Sequence, residues 1–116
     1  MSRFETYLPV VNLHAGELFF TQSPTLIITI LGSCLSLTMY NVRTKIAGMC
    51  HVLLPSCSRK KQCSKPCSEM FRYLNCTVRY MVKYFEQHNI LRKEIEVKVF
   101  GGSDILALTD NGRGRK

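Results

Sequence analysis

The chain has 116 residues, of which 46% are hydrophobic, and carries a formal net charge of +8. That length suits one small domain spanning 1–116, and the apolar share excludes wholesale disorder. No apolar run approaches the ~20 residues of a membrane-spanning helix. The opening MSRFETYLP lacks the apolar stretch of a signal peptide, so the expectation is a cytoplasmic protein with no membrane insertion.

Six cysteines fit that compartment only as free thiols, because cytoplasmic cysteines stay reduced. Cys57, Cys63 and Cys67 are separated by five and three residues, with no histidine between them. Structural zinc sites pair their cysteines more closely, so no metal is expected. The positive charge concentrates in Arg59, Lys60, Lys61 and Lys65 and in Arg113, Arg115 and Lys116. No aromatic residue interleaves with these runs, as a base-stacking platform would require. They read as a solvated loop and tail, with no nucleic-acid partner.

In chain order, His14–Glu17 is a turn signal followed by the apolar LFF. Thr25–Leu31 is β-branched and apolar, which predicts a buried strand. Gly32 and Ser33 interrupt it, and Leu35–Tyr40 resumes in extended form. NVRT (Asn41–Thr44) is a polar turn, and Ile46–Leu54 is a further strand closed by Pro55. Residues 56–67 form a basic loop. Over Ser68–His88, Met70, Phe71, Leu74, Val78, Met81, Val82 and Phe85 recur at three- and four-residue steps, the pattern of one apolar helix face. Ser68 and Glu69 supply its start. Glu94–Phe100 alternates with period two, a half-exposed strand ended by Gly101 and Gly102, and 107–116 reads as a tail. Several strands with one helix give an α/β (α+β) sandwich with a mixed, largely antiparallel sheet.

The chemistry-bearing residues are Cys34 and His51. If Leu35–Tyr40 and Ile46–Leu54 form a hairpin in which Asn41 pairs with Thr44, Ser36 faces Met49 and Cys34 faces His51. Opposed residues share a face, with β-carbons roughly 4.5–5.5 Å apart, which puts a thiol beside an imidazole. Leu35, Leu37 and Met39 then share the other face with Cys50, Val52 and Leu54. A neighbouring imidazole lowers a thiol pKa and can carry its proton to a leaving group. The turn at Gly32 and Ser33 brings backbone N–H groups near Cys34, where they could stabilise an oxyanion. A buried, idle thiol and an unrelated histidine fit the same residues.

LGSC (Leu31–Cys34), YNV at the turn and GMCHVLLP (Gly48–Pro55), with HAGE before and KVFGGS (Lys98–Ser103) after, resemble the CheD family of chemoreceptor glutamine deamidases in bacterial chemotaxis. The likeness runs over about residues 13–106. It implies a fold like that of the deamidating toxins, and a cysteine hydrolase acting on glutamine or glutamate methyl ester side chains of methyl-accepting chemotaxis receptors. It implies Cys34 as nucleophile, His51 as base, CheC phosphatase as a partner and no cofactor. The family's catalytic threonine, six residues before the cysteine, falls on Ile28. Thr29 is its neighbour, and neighbouring strand residues face opposite ways. Thr29 takes the role only through an irregularity, which Gly32 would permit as a bulge. The alternative is a catalytically weak module that keeps a receptor- or CheC-binding surface.

Overall fold

The computed structural model describes residues 8–56 and 69–102. Six strands and one helix are present among them: β1 (Val10–Asn12), β2 (Leu18–Thr21), β3 (Leu26–Ile28), β4 (Leu35–Tyr40), β5 (Ala47–Val52), α1 (Leu74–Gln87) and β6 (Glu96–Gly101). The basic loop with Cys57, Cys63 and Cys67, the proposed helix start at Ser68 and the tail at 107–116 lie outside the described residues.

Four strands form one antiparallel sheet in the order β2-β5-β4-β6, and β1 pairs with β3 in a separate parallel ribbon. The α+β class with a largely antiparallel sheet and a packed helix is therefore the one read from the sequence. One face of the large sheet carries Leu35, Leu37, Met39, Cys50 and Val52, which join Met81 and Phe85 of α1 in the core. The alternation in β4 and β5 that separates these side chains from Ser36, Thr38 and His51 is the expected one.

The hairpin register differs from the expected one by two residues. Ser36, not Cys34, lies opposite His51, and Tyr40 pairs with Ala47. The cause is the turn. Asn41 is buried and its backbone N–H pairs with Ile46 O at 3.0 Å, so the loop holds four residues. Asn41 Oδ1 accepts from the Thr44 N–H (2.9 Å) and from the Thr44 hydroxyl (2.8 Å), while Nδ2 donates to Glu94 O (2.9 Å). Lys45 closes the loop with φ of 67°. A shift of two preserves both faces, which is why hydrophobic patterning could not detect it.

The helix begins later than its apolar stripe suggests. Met70–Arg72 is a 3₁₀ turn and Tyr73 is extended, with φ −115° and ψ 132°. Tyr73 forms a parallel bridge with Leu54, and Leu53 and Leu54 both donate to Arg72 O. The first N–H groups of α1 gain partners in return, Leu74 donating to Leu54 O and Asn75 to Pro55 O. Backbone carbonyls thus replace a side-chain cap at a terminus that would otherwise leave donors unpaired.

Two strands are less buried than expected. β3 covers only three residues of Thr25–Leu31, and Leu26, Ile28 and Ile30 are exposed. β6 is exposed throughout and pairs, among the described residues, only with β4. Val97 and Val99 share the core-side face with Met39 and Leu37, yet Val97 and Val99 stay outside the buried cluster that α1 covers.

Gly48 of β5 lies under the Phe20 ring. A β-carbon there would stand 2.6 Å from Phe20 and 3.2 Å from Met81. Phe20 is itself stacked on Tyr84 at 3.6 Å, so it cannot retreat freely. Gly48→Ala should therefore lower stability by about 1–3 kcal/mol through overpacking. Denaturant unfolding measures this, with a shifted midpoint and unchanged slope expected.

Candidate active site

Thr29 follows β3 just as the chain leaves the small ribbon. Its hydroxyl oxygen lies 2.7 Å from Leu13 O and 2.8 Å from His51 Nδ1. The protonation pattern follows from counting hydrogens. A hydroxyl has one proton and a carbonyl can only accept, so Thr29 donates to Leu13 O. His51 Nδ1 must then carry hydrogen and donate to Thr29. In the neutral ring this leaves Nε2 as the unprotonated, basic nitrogen.

His51 is only 5% exposed and sits at the C-terminal end of β5. Its backbone is held on one side by β4 and on the other by the turn before β2, through Gly16 N–H to His51 O (2.7 Å) and His51 N–H to Glu17 O (3.1 Å). This is what the HAGE turn does structurally. Burial lowers the imidazole pKa below its ordinary value, and the nearby His14 charge lowers it further. The ring is therefore neutral at pH 7 and able to accept a proton. Among the described residues, Nε2 has no hydrogen-bond partner, and neither has the hydroxyl of Ser36, which is fully buried on the opposed strand.

A cleft of about 290 Å³ opens beside this pair. Leu13 and His14 line one side, Ile28, Thr29 and Ile30 the other, with His51 among its walls. Ile28 thus borders the cleft while its neighbour makes the hydrogen bond. The explanation is not a bulge at Gly32. Gly32 has no left-handed φ, and an added β-carbon there would meet nothing within 4 Å. Thr29 lies beyond the last paired residue of β3, so pleat alternation no longer governs it.

Cys34 is a partly exposed free thiol one residue before β4. It makes no hydrogen bond to Nε2, since Nε2 has none. Gly32 and Ser33 are exposed at the bend before it. Gly101 and Gly102 pack against this segment from β6. Both have positive φ (67° and 75°), and β-carbons there would stand 3.0 Å from Cys34 O and 2.8 Å from the Leu35 side chain. The two glycines, read from sequence only as a turn, therefore allow the close approach that seats the cysteine. The other described cysteines are poorer candidates for chemistry. Burial pushes the Cys50 thiol up to about 11, and Cys76 is on α1. The sequence reading did not single out Ser36 or Leu13. Strand pairing could have exposed Ser36, but no local signal marks a backbone carbonyl such as Leu13 O.

The lowered pKa of His51 makes a stability prediction. The folded state binds this proton less readily than the unfolded chain, so the stabilisation is complete above the ordinary histidine value of about 6.5. It is lost as pH falls from there toward the lower folded value. His51→Asn should flatten that part of a plot of unfolding free energy against pH. An unchanged slope between pH 6.5 and 5 in the variant would remove His51 as its source.

No family model matches the chain. Curated relatives do. It is 38% identical over 107 residues to the probable chemoreceptor glutamine deamidase CheD 2 of Geobacter sulfurreducens, covering 92% of this chain and 62% of that protein. It is 33% identical over 97 residues to the probable CheD of Maridesulfovibrio salexigens, with 84% and 57% covered. With that of Oleidesulfovibrio alaskensis it shares 36% identity over 103 residues, 89% and 47% being covered. The matched part of the chain thus spans roughly half to three fifths of the length of these relatives, and over that span it is similar to the CheD family.

Proposed function

We propose that this chain carries the catalytic centre of a protein-glutamine deamidase acting on chemoreceptors, with Cys34 as nucleophile, His51 as general base and Thr29 as the group that orients the imidazole. The observation that carries the reading is the Thr29–His51 hydrogen bond, which turns the basic Nε2 away from the Leu13 carbonyl and leaves it able to take a proton. The names of the relatives supply the substrate class.

In this mechanism the Cys34 proton passes to Nε2 and the thiolate attacks the glutamine side-chain carbonyl carbon. The carbonyl oxygen becomes an oxyanion, for which the exposed Gly32–Ser33 bend offers backbone N–H donors. Collapse expels ammonia, which takes the proton back from the imidazolium, and leaves a thioester. His51 then removes a proton from water, whose oxygen attacks the thioester. The leaving thiolate takes that proton back from the imidazolium, and the products are glutamate and the free thiol. A glutamate methyl ester follows the same steps, with methanol leaving. The open space around Gly32 allows a receptor helix to approach the bend closely. Receptor helices in the cytoplasm and the CheC phosphatase are the partners of this reading.

A second reading is a docking module of the same fold with little turnover. The absence of a Cys34–His51 hydrogen bond favours it. Catalytic hydrogen bonds often form only with substrate bound, however.

Mass spectrometry of a receptor fragment after incubation decides between the two. Deamidated glutamine is expected with the native chain. Cys34→Ala should reduce the rate by at least about 10⁴-fold with the fold intact, and His51→Asn by about 10²–10⁴-fold. A near-normal rate in Cys34→Ala would overturn the mechanism.

Thr29→Val keeps the shape and removes the hydroxyl. It should lower turnover by up to about 10⁴-fold, the loss seen when a Ser-His-Asp site loses its tautomer-fixing partner. If Thr29→Val is harmless while Ile28→Thr raises activity, the orienting role belongs to position 28.

A further inference from the structure

The two-residue register shift moves Cys34 away from the position opposite His51. His51 faces Ser36 directly. Cys34 stands one residue before β4 and two before Ser36, so the register places it diagonally from His51. Diagonal neighbours are roughly 7–8 Å apart, a long reach for a thiol, whereas directly opposed β-carbons are roughly 4.5–5.5 Å apart. Ser36 is therefore the side chain placed between them.

Its environment is unusual for a serine. Ser36 is fully buried, and its hydroxyl has no hydrogen-bond partner among the described residues. His51 Nε2, across the strand pair, is in the same condition. Leaving a buried polar group unpaired is costly. The Thr29 hydrogen bond makes Nε2 an acceptor, so a serine hydroxyl is its chemical complement. Rotation about χ1 moves that hydroxyl between staggered positions without moving the strand.

We propose that Ser36 is a proton relay between Cys34 and His51, an inference that rests on the deamidase reading above. The Ser36 oxygen accepts a hydrogen bond from the Cys34 thiol while its hydroxyl donates to Nε2. In the transfer the S–H bond breaks and a new O–H bond forms on Ser36, as the original O–H breaks and an N–H bond forms at Nε2. Ser36 ends unchanged, and thiolate and imidazolium are left. The return of the proton to the leaving ammonia goes directly from His51.

The test is the rate at which iodoacetamide alkylates each cysteine, read by peptide mass spectrometry as a function of pH. In the native chain Cys34 should react faster than Cys76 at pH 7. Ser36→Ala should slow Cys34 about tenfold or more at pH 7, with the fold intact. If Ser36→Ala keeps the native profile while His51→Asn slows Cys34, the relay is wrong and the deamidase reading stands. If native Cys34 reacts no faster than Cys76, the relay falls together with that reading. A measurement independent of the serine variant is the ¹⁵N resonance of His51 Nε2 in Cys34→Ala. A hydrogen-bonded shift is expected, since Ser36 remains as donor, and a free-nitrogen shift would overturn the proposal.

Discussion

One hydroxyl organises the centre of this fold. Thr29 Oγ1 sits between an obligate acceptor, the Leu13 carbonyl, and a ring nitrogen of His51. Because it has one proton to give, its two contacts dictate the imidazole tautomer without any charged partner. A carboxylate in that place would hold the ring more strongly and would also raise its basicity. The neutral hydroxyl orients the ring and lets burial keep its pKa low, so the ring is uncharged at pH 7. The same contact ties the β1–β3 ribbon to the face of the large sheet that α1 does not cover.

The rest of the architecture holds the two ends of the site in place. Both backbone hydrogen-bonding groups of His51 are taken by the turn before β2, and β5 pairs with β4 along its other edge, so the imidazole hangs from a strand rather than a loop. Cys34 is seated differently. It precedes β4 at an exposed bend, and Gly101 and Gly102 press against its carbonyl and the following leucine. The glycines are needed for two reasons, positive φ and the lack of space for a β-carbon. The Cys34 segment thus depends on β6, the strand with the least cover. Its position is sensitive to a part of the fold that contributes little to the core.

Local chemistry in the sequence located β3 to β6 and the apolar helix stripe and pointed to the candidate pair Cys34 and His51, but it marked neither β1 nor β2 as a strand. Alternation assigned the side chains of Leu35–Tyr40 and Ala47–Val52 to the correct faces, whereas Leu54, expected on the apolar face, lies beyond β5 and is exposed. The burial expected of Thr25–Leu31 was misplaced, because β-branched composition reports strand preference and not which sheet the strand joins. The helix start was misplaced because Tyr73 keeps the periodic pattern while its backbone is drawn into a bridge with Leu54.

What the sequence determined by itself was the periodicity and the residue types, and with them the fold class and the faces of the hairpin. Tertiary structure decided the rest. A register shift of two leaves the faces unchanged, so only the buried Asn41 network, reaching from the turn to Glu94, selects Ser36 over Cys34 as the neighbour of His51. The orientation of Thr29 toward that histidine likewise depends on the carbonyl of Leu13, sixteen positions away in the chain. Both outcomes need a distant backbone carbonyl, that of Glu94 for the Asn41 turn and that of Leu13 for Thr29, and a backbone carbonyl carries no residue-type signal.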